Sequence, residues 1–151
     1  MRPGPALQYR VDASSVYGDA GSLDHLRPLG AIGKLDRIVA AAKPYGVKVL
    51  IAVGGWGWDD EFEALAESTD SRARFVQEIA AFIARHKLDG VDLDWEYPNL
   101  GASGEAFTAL VRDLRAALPT GTLLTAAVLA DASNAGGVSE EIFPLVDYLN
   151  L

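Results

Sequence analysis

Cysteine is absent from all 151 residues. Disulfides, thiolate nucleophiles and thiolate metal sites are therefore excluded, although the compartment is not decided, because many secreted enzymes of bacterial type also lack cysteine. Histidine is nearly as scarce. His25 and His86 stand far apart with no HExxH or other paired spacing, so no zinc site is expected, and no other metal or cofactor. No apolar run approaches the roughly 20 residues of a membrane span. The opening Met1-Arg2-Pro3-Gly4-Pro5 lacks the apolar core of a secretory signal. Basic residues are in deficit: 13 Lys and Arg face 21 Asp and Glu, a net charge of −8, which disfavours phosphate backbones and anionic membranes through Coulomb repulsion. Neither nucleic acid nor membrane is an expected partner; a neutral ligand is. Part of the acidic excess, Asp59, Asp60, Glu61, Glu63 and Glu67, reads as a solvated surface. Neither GxGxxG nor GxxxxGK[ST] follows any predicted strand, which leaves nucleotide binding without support.

What is present is the composition of a folded domain, with 50% of residues hydrophobic and 23% charged. From residue 47 onward, short apolar β-branched runs alternate with longer segments of helical period, as parallel βαβ units read. A strand is predicted over residues 47–53, ending at Gly54-Gly55, where the missing Cβ permits a sharp turn or the close approach of a ligand. Ser71 is expected to cap the next helix, whose Phe75, Ile79, Phe82 and Ile83 form one apolar stripe. Further strands are predicted over 88–95, 122–129 and 147–151, the last ending as a chain cut within an element would. Helices are predicted over 103–118, with Phe107, Leu110, Val111 and Leu114 inward, and over 140–145, with Gly136-Gly137 as loop. Nearer the start, residues 7–11 read as a strand, 14–30 as loop, and 35–43 as a helix closed by Pro44 and Gly46. About five strands alternating with four main helices predict an α/β fold, either a (β/α) barrel or an open doubly wound sheet.

Side chains on a strand alternate faces, so Asp92, Asp94 and Glu96 are expected to point one way and Val91, Leu93 and Trp95 the other. The apolar set fits under helices. Both faces of a central parallel strand are normally covered, so the carboxylates must line a cavity, and the inside of a barrel near its C-terminal mouth is the natural place. Same-face neighbours lie roughly 6.5 to 7 Å apart. Three ionised carboxylates in a partly dry cavity repel one another, and at least one is expected to hold a proton near neutral pH. Glu96, the longest and the last before the mouth, is best placed to donate it to a leaving oxygen. The competing reading, acids held by arginines or lysines in a buried network, suits a lone acid better than three in strict alternation. Asp89 falls off the alternation and reads as a strand-start or loop-fixing residue.

The string Leu88-Asp89-Gly90-Val91-Asp92-Leu93-Asp94-Trp95-Glu96-Tyr97-Pro98 resembles the DGxDxDWEYP signature on the fourth barrel strand of family 18 glycoside hydrolases, the chitinase-like family, with every acidic position filled. Residues 49–56 resemble that family's third strand ending in GGW. Arg72 and Phe75 resemble its R-x-x-F helix, Leu124-Thr125-Ala126-Ala127-Val128 its fifth strand, and Val146-Asp147-Tyr148-Leu149-Asn150-Leu151 the start of its sixth. The likeness covers residues 34–151 well and 1–33 poorly. It implies that residues 1–151 are a partial catalytic domain of that family: a partial (β/α)8 TIM barrel of about five strands, approximately strands 2 to 6, with the first and last strands missing.

By that resemblance the activity is hydrolysis of β-1,4-linked N-acetylglucosamine bonds by a retaining, substrate-assisted mechanism, an exception to the usual two-carboxylate scheme. Glu96 would protonate the glycosidic oxygen while the sugar's 2-acetamido carbonyl attacks C1. Asp94 would accept the acetamido N–H and offset the developing positive charge. Asp92 would be its buried partner, sharing a proton in a coupled titration. Trp56 matches an aromatic that stacks on sugar, with Gly55 beside it and Tyr97 at the cleft edge, so these three are the expected substrate contacts. Trp95 is expected in the core, and Trp58 has no clear counterpart. The partner is then chitin or an N-acetylglucosamine-containing oligosaccharide, and the full-length protein is expected to be secreted, its signal lying outside these residues. Non-catalytic, lectin-like chitin binding and endo-β-N-acetylglucosaminidase action are the alternatives within the family; outside it stands a barrel that binds magnesium through the three acids. Two departures matter. Ala52 stands where the family commonly has a serine that helps hold the innermost aspartate, so one hydrogen bond to Asp92 is expected to be missing. About five strands cannot close a ring, so open sheet edges are expected to favour self-association, and hydrolysis by residues 1–151 alone is expected to be weak.

Overall fold

The computed structural model describes residues 7–10, 31–55, 57, 59–129 and 135–151. Five strands form one parallel sheet in sequence order: β1 (Leu7–Arg10), β2 (Val49–Gly54), β3 (Gly90–Asp94), β4 (Leu123–Ala127) and β5 (Tyr148–Asn150). The helices are α1 (Ala31–Ala42), α2 (Asp59–Glu67), α3 (Thr69–His86) and α4 (Ala102–Ala117). Every strand pairs with its neighbour in sequence and the order never reverses, which is the arc of a (β/α) barrel; a doubly wound sheet reverses at its switch point. The fold is therefore α/β, a partial barrel.

Strand parity sorts the side chains into two layers. Val49, Ile51 and Val53 of β2, Val91 and Leu93 of β3, and Leu124 and Ala126 of β4 join Phe62, Phe75, Ile79, Phe107 and Leu110 of the helices in one core. The opposite parity, Leu50, Ala52, Asp92, Asp94 and Thr125, is also buried but turns to the inside of the arc. Trp95, two residues beyond Leu93 on the helix side, is only 2% exposed. It stacks on Phe62 with ring centroids 5.6 Å apart and meets Phe107 edge-on at 5.9 Å, so its expected place in the core is the observed one. Such aromatic pairs add about 0.5–1.5 kcal/mol each beyond the area they bury.

Several local expectations are corrected. The acidic run after residue 58 is not only a solvated surface: it forms α2, which buries Phe62 and Ala66 one turn apart while Asp60, Glu61 and Glu67 stay exposed. Two buried positions among five acids were too few to show a helical period. The cap of α3 is Ser68, whose Oγ accepts from the Ser71 N–H at 3.3 Å, rather than Ser71 itself. The short helix near residue 140 is a single 3-10 turn, Glu140–Ile142, capped by Ser139. The R-x-x-F spacing has a structural use. Arg72 donates to the Asp113 carboxylate at 2.7 Å and to the Ala66 carbonyl at 2.6 Å, tying α3 to α4 and α2, while Phe75 enters the core.

Asp89 and Asp147 each precede a strand by one residue and repeat one clasp. The Val49 N–H donates to Asp89 Oδ2 at 2.9 Å, and the Asp89 N–H returns to the Val49 carbonyl at 2.8 Å. The Leu124 N–H donates to Asp147 Oδ2, and the Asp147 N–H to the Leu124 carbonyl, both at 2.8 Å. Lys48 pairs with Asp89 at 2.7 Å and Arg115 with Asp147 at 3.4 Å. Each clasp sets the register of one strand on its neighbour, and a slip of one residue would turn every side chain to the wrong face. Asp89 is thus strand-fixing, as its position off the alternation implied. Asp89→Ala would leave the Val49 N–H without its acceptor and is expected to destabilise the protein by about 1–3 kcal/mol. Urea denaturation checks this through a lowered midpoint, and Asp89→Asn, which keeps an acceptor, is expected to lose less.

Candidate active site

The inner face of β3 carries Asp92 and Asp94, only 4% and 5% exposed. In the sheet register Asp92 is level with Ala52 on β2 and Thr125 on β4. Ala52 offers no hydrogen bond, as the sequence implied, yet Asp92 does not go short. Thr125 Oγ1 donates to Asp92 Oδ1, and Asn150 Nδ2 reaches across β4 from β5 to the same oxygen at 2.9 Å. The expected loss on the β2 side is met by two neutral donors from the other flank.

Asp94 stands two residues nearer the mouth, level with Gly54. Its carbonyl accepts the Gly55 N–H at 2.8 Å, which brings the expected binding residue Gly55 against the acidic strand. Gly54 has φ +116, and a Cβ there would lie 2.4 Å from the Asp94 carbonyl oxygen and 2.9 Å from the Phe62 ring. Backbone conformation and space both demand glycine.

The ladder ends at Asp94, so the strand predicted to reach residue 95 is shorter than expected and Glu96 lies just past it, half-buried in a bend. Regular alternation therefore covers only the two inner acids. The Glu96–Tyr97 peptide is cis, and Tyr97 is also half-buried. Beyond them the chain is gripped by glycines. A Cβ on Gly137 would stand 1.8 Å from the Pro98 carbonyl oxygen, and one on Gly104 would stand 2.7 Å from the Gly137 carbonyl and 2.9 Å from that of Asn99. Gly136-Gly137, expected as loop, belongs to a 3-10 turn, Ala135–Gly137, that presses on this exit segment. Ser103, buried in the first turn of α4, accepts the Asn99 N–H at 3.1 Å. Trp56 and Trp58 lie outside the described residues. A separate hollow of about 320 Å³ lies between α4 and the turns after β4, with Arg112 and Glu141 paired at 2.7 Å in its lining, and none of the three acids enters it.

Residues 9–151 match the family model described as Glycosyl hydrolases family 18. The chain belongs to that family. It is 41% identical over 105 residues to probable chitinase 10 of Drosophila melanogaster, an overlap of 62% of this chain and 4% of that protein. To chitotriosidase-1 of Mus musculus it is 35% identical over 120 residues, covering 70% of this chain and 26% of the relative. Among solved structures, a GH18 chitinase mutant from Cycas revoluta in complex with (GlcNAc)4 superposes with a TM-score of 0.72 at 28% identity, over 82% of this chain and 41% of that one. The chain thus spans less than half the length of each of these relatives.

Within this family 18 fold, Thr125 and Asn150 are the site residues that the sequence reading passed over. The signal was present, since each is a polar residue at inward parity in an otherwise apolar strand, LLTAA and YLN. What was missing was the curvature that lets Asn150, paired with Ala127, reach Asp92. Gly137→Ala would drive a Cβ into the Pro98 carbonyl and is expected to cost about 1–3 kcal/mol through forced backbone shifts, read as a lower melting temperature.

Proposed function

We propose that the protein hydrolyses β-1,4 bonds between N-acetylglucosamine units of chitin or its oligosaccharides, with retention and through the substrate's own acetamido group. The observation that carries this reading is the gradient of exposure along one segment: Asp92 and Asp94 are buried on the inner face, and Glu96 is half-buried where the strand opens. An acid at the rim meets a leaving oxygen; a shielded carboxylate behind it suits a group on which positive charge develops. The (GlcNAc)4 bound in the Cycas revoluta chitinase supports the substrate class.

In this mechanism Glu96 gives its proton to the glycosidic oxygen as the bond to C1 breaks. The acetamido carbonyl oxygen of the sugar on the non-reducing side forms a new bond to C1, and the ring so formed carries the positive charge. Asp94 accepts the acetamido N–H and becomes more favourable as that charge grows, so its contribution falls on the transition state rather than on substrate binding. Asp92, sharing a proton with Asp94, lets that carboxylate turn toward the substrate. Water, deprotonated by the Glu96 carboxylate, then opens the ring at C1 with overall retention. Trp56, Gly55 and Tyr97 are proposed as sugar contacts, the flat Trp56 ring covering an apolar pyranose face.

Residues 1–151 carried within a complete eight-stranded barrel are expected to cleave N-acetylchitooligosaccharides and to release the β-anomer first, which proton NMR of the fresh product reads directly. Glu96→Gln is expected to lower kcat by about 10²–10⁴-fold with little change in KM, while residues 1–151 alone turn over little. Oligosaccharide binding without cleavage by the complete barrel, or undiminished cleavage by Glu96→Gln, would remove the proposal.

A further inference from the structure

We propose that Thr125 and Asn150 are positioning residues for this reaction: together they hold the negative charge of Asp92 on Oδ1 and confine any proton that Asp92 carries to Oδ2. The inference rests on the reading of Asp92 and Asp94 as a proton-sharing pair and goes beyond it by naming what orients the shared proton. Thr125 is level with Asp92 on β4, and Asn150 lies two residues nearer the mouth than Tyr148, which is level with Thr125. Both converge on one oxygen of a carboxylate that is 4% exposed. An amide NH2 can only donate, and its bond needs a lone pair on Oδ1; the Thr125 hydroxyl engages the other. With both lone pairs in use, Oδ1 has no place for a proton, and neutral Asp92 exists as the Oδ2 acid. In a shielded interior that choice is held by the protein rather than averaged by solvent.

Ala52, level with Asp92 on β2, adds no side-chain donor to these two. Two donors on Oδ1 also favour the ionised form of Asp92, so removing either should make the carboxyl easier to protonate. The sign follows directly. Loss of a donor raises the pH at which Asp92 gains its proton, and the doubly protonated pair, which lacks the negative charge that offsets the charge developing on the acetamido group, becomes populated at higher pH.

Thr125→Val and Asn150→Leu each delete one donor at nearly constant volume. In the complete barrel each is expected to lower kcat about tenfold or more with KM within about threefold, and to move the acid limb of the kcat profile up by about one pH unit, the size of one hydrogen bond to a charged group. Thr125→Ser is expected to restore both. A carbon-13 NMR titration of the Asp92 carboxyl gives a second reading that needs no turnover, its midpoint rising by about one unit in Thr125→Val and in Asn150→Leu. An acid limb and a carboxyl midpoint that stay at wild-type values would overturn the inference. So would a Thr125→Ser variant that loses activity and melting temperature together with Thr125→Val, since that pattern marks a packing role. If the parent barrel cleaves no chitooligosaccharide, the proposed function falls, and the carboxyl titration alone decides this inference.

Discussion

The arrangement depends on the two-residue period of β3 inside a sheet that is covered on both sides. Val91, Leu93 and Trp95 are locked under the helices by contact with Phe62, Phe107 and their neighbours. The same backbone therefore has nowhere to put Asp92 and Asp94 except the inside of the arc. A slip of one residue would send two carboxylates into an apolar core, at a cost that no local gain offsets. The Asp89 clasp on Val49 holds that register on one flank. On the other, Gly90 lets β3 approach β4 so closely that a Cβ would lie 2.1 Å from the Leu123 carbonyl.

Close backbone approach recurs where the strand opens. Gly54 sits against the Asp94 carbonyl, Gly55 donates to it, and Gly104 with Gly137 closes on the segment that follows Glu96. A side chain at Gly54 would collide with the Asp94 carbonyl, and one at Gly104 or Gly137 would press on the exit segment at Asn99 or Pro98. The glycines thus convert a rigid strand into a rim at which one acid becomes half-exposed while the two behind it stay shielded, the graded environment that a donor and an electrostatic partner need. Membership in family 18 gives these residues a shared frame. The details of this chain decide how the frame is tuned: an alanine on β2 leaves the inner aspartate to be held from β4 and β5.

Much of this was legible in the sequence. β2 and β4 were readable because buried parallel strands are largely apolar runs bounded by turn residues, and α3 because Phe75, Ile79, Phe82 and Ile83 repeat with helical spacing; β1, with Gln8 and Arg10 among its four residues, carried a weaker signal. The acids of β3 were readable because charge at every second position of an apolar strand has no bland explanation. Other features left no such trace. α2 hid behind its acidic residues, since among its described side chains only Phe62 and Ala66 are fully buried, with Leu65 partly buried beside them. The end of β3 was placed one residue too far, at Trp95 instead of Asp94, because the alternation of apolar and acidic residues runs on past the point where the ladder stops.

By itself, the sequence determined which residues alternate, which strands are buried, and that Asp92, Asp94 and Glu96 belong to one segment, because these follow from the period of the backbone and the cost of exposing apolar surface or burying charge. Tertiary structure alone decided which donors meet Asp92, since Thr125 and Asn150 are 33 and 58 residues away along the chain. It also decided that Glu96 leaves the ladder and that Gly137 abuts Pro98. Hydrogen-bond partners across strands are set by the curvature and stagger of the whole sheet, quantities that no short stretch of residues contains.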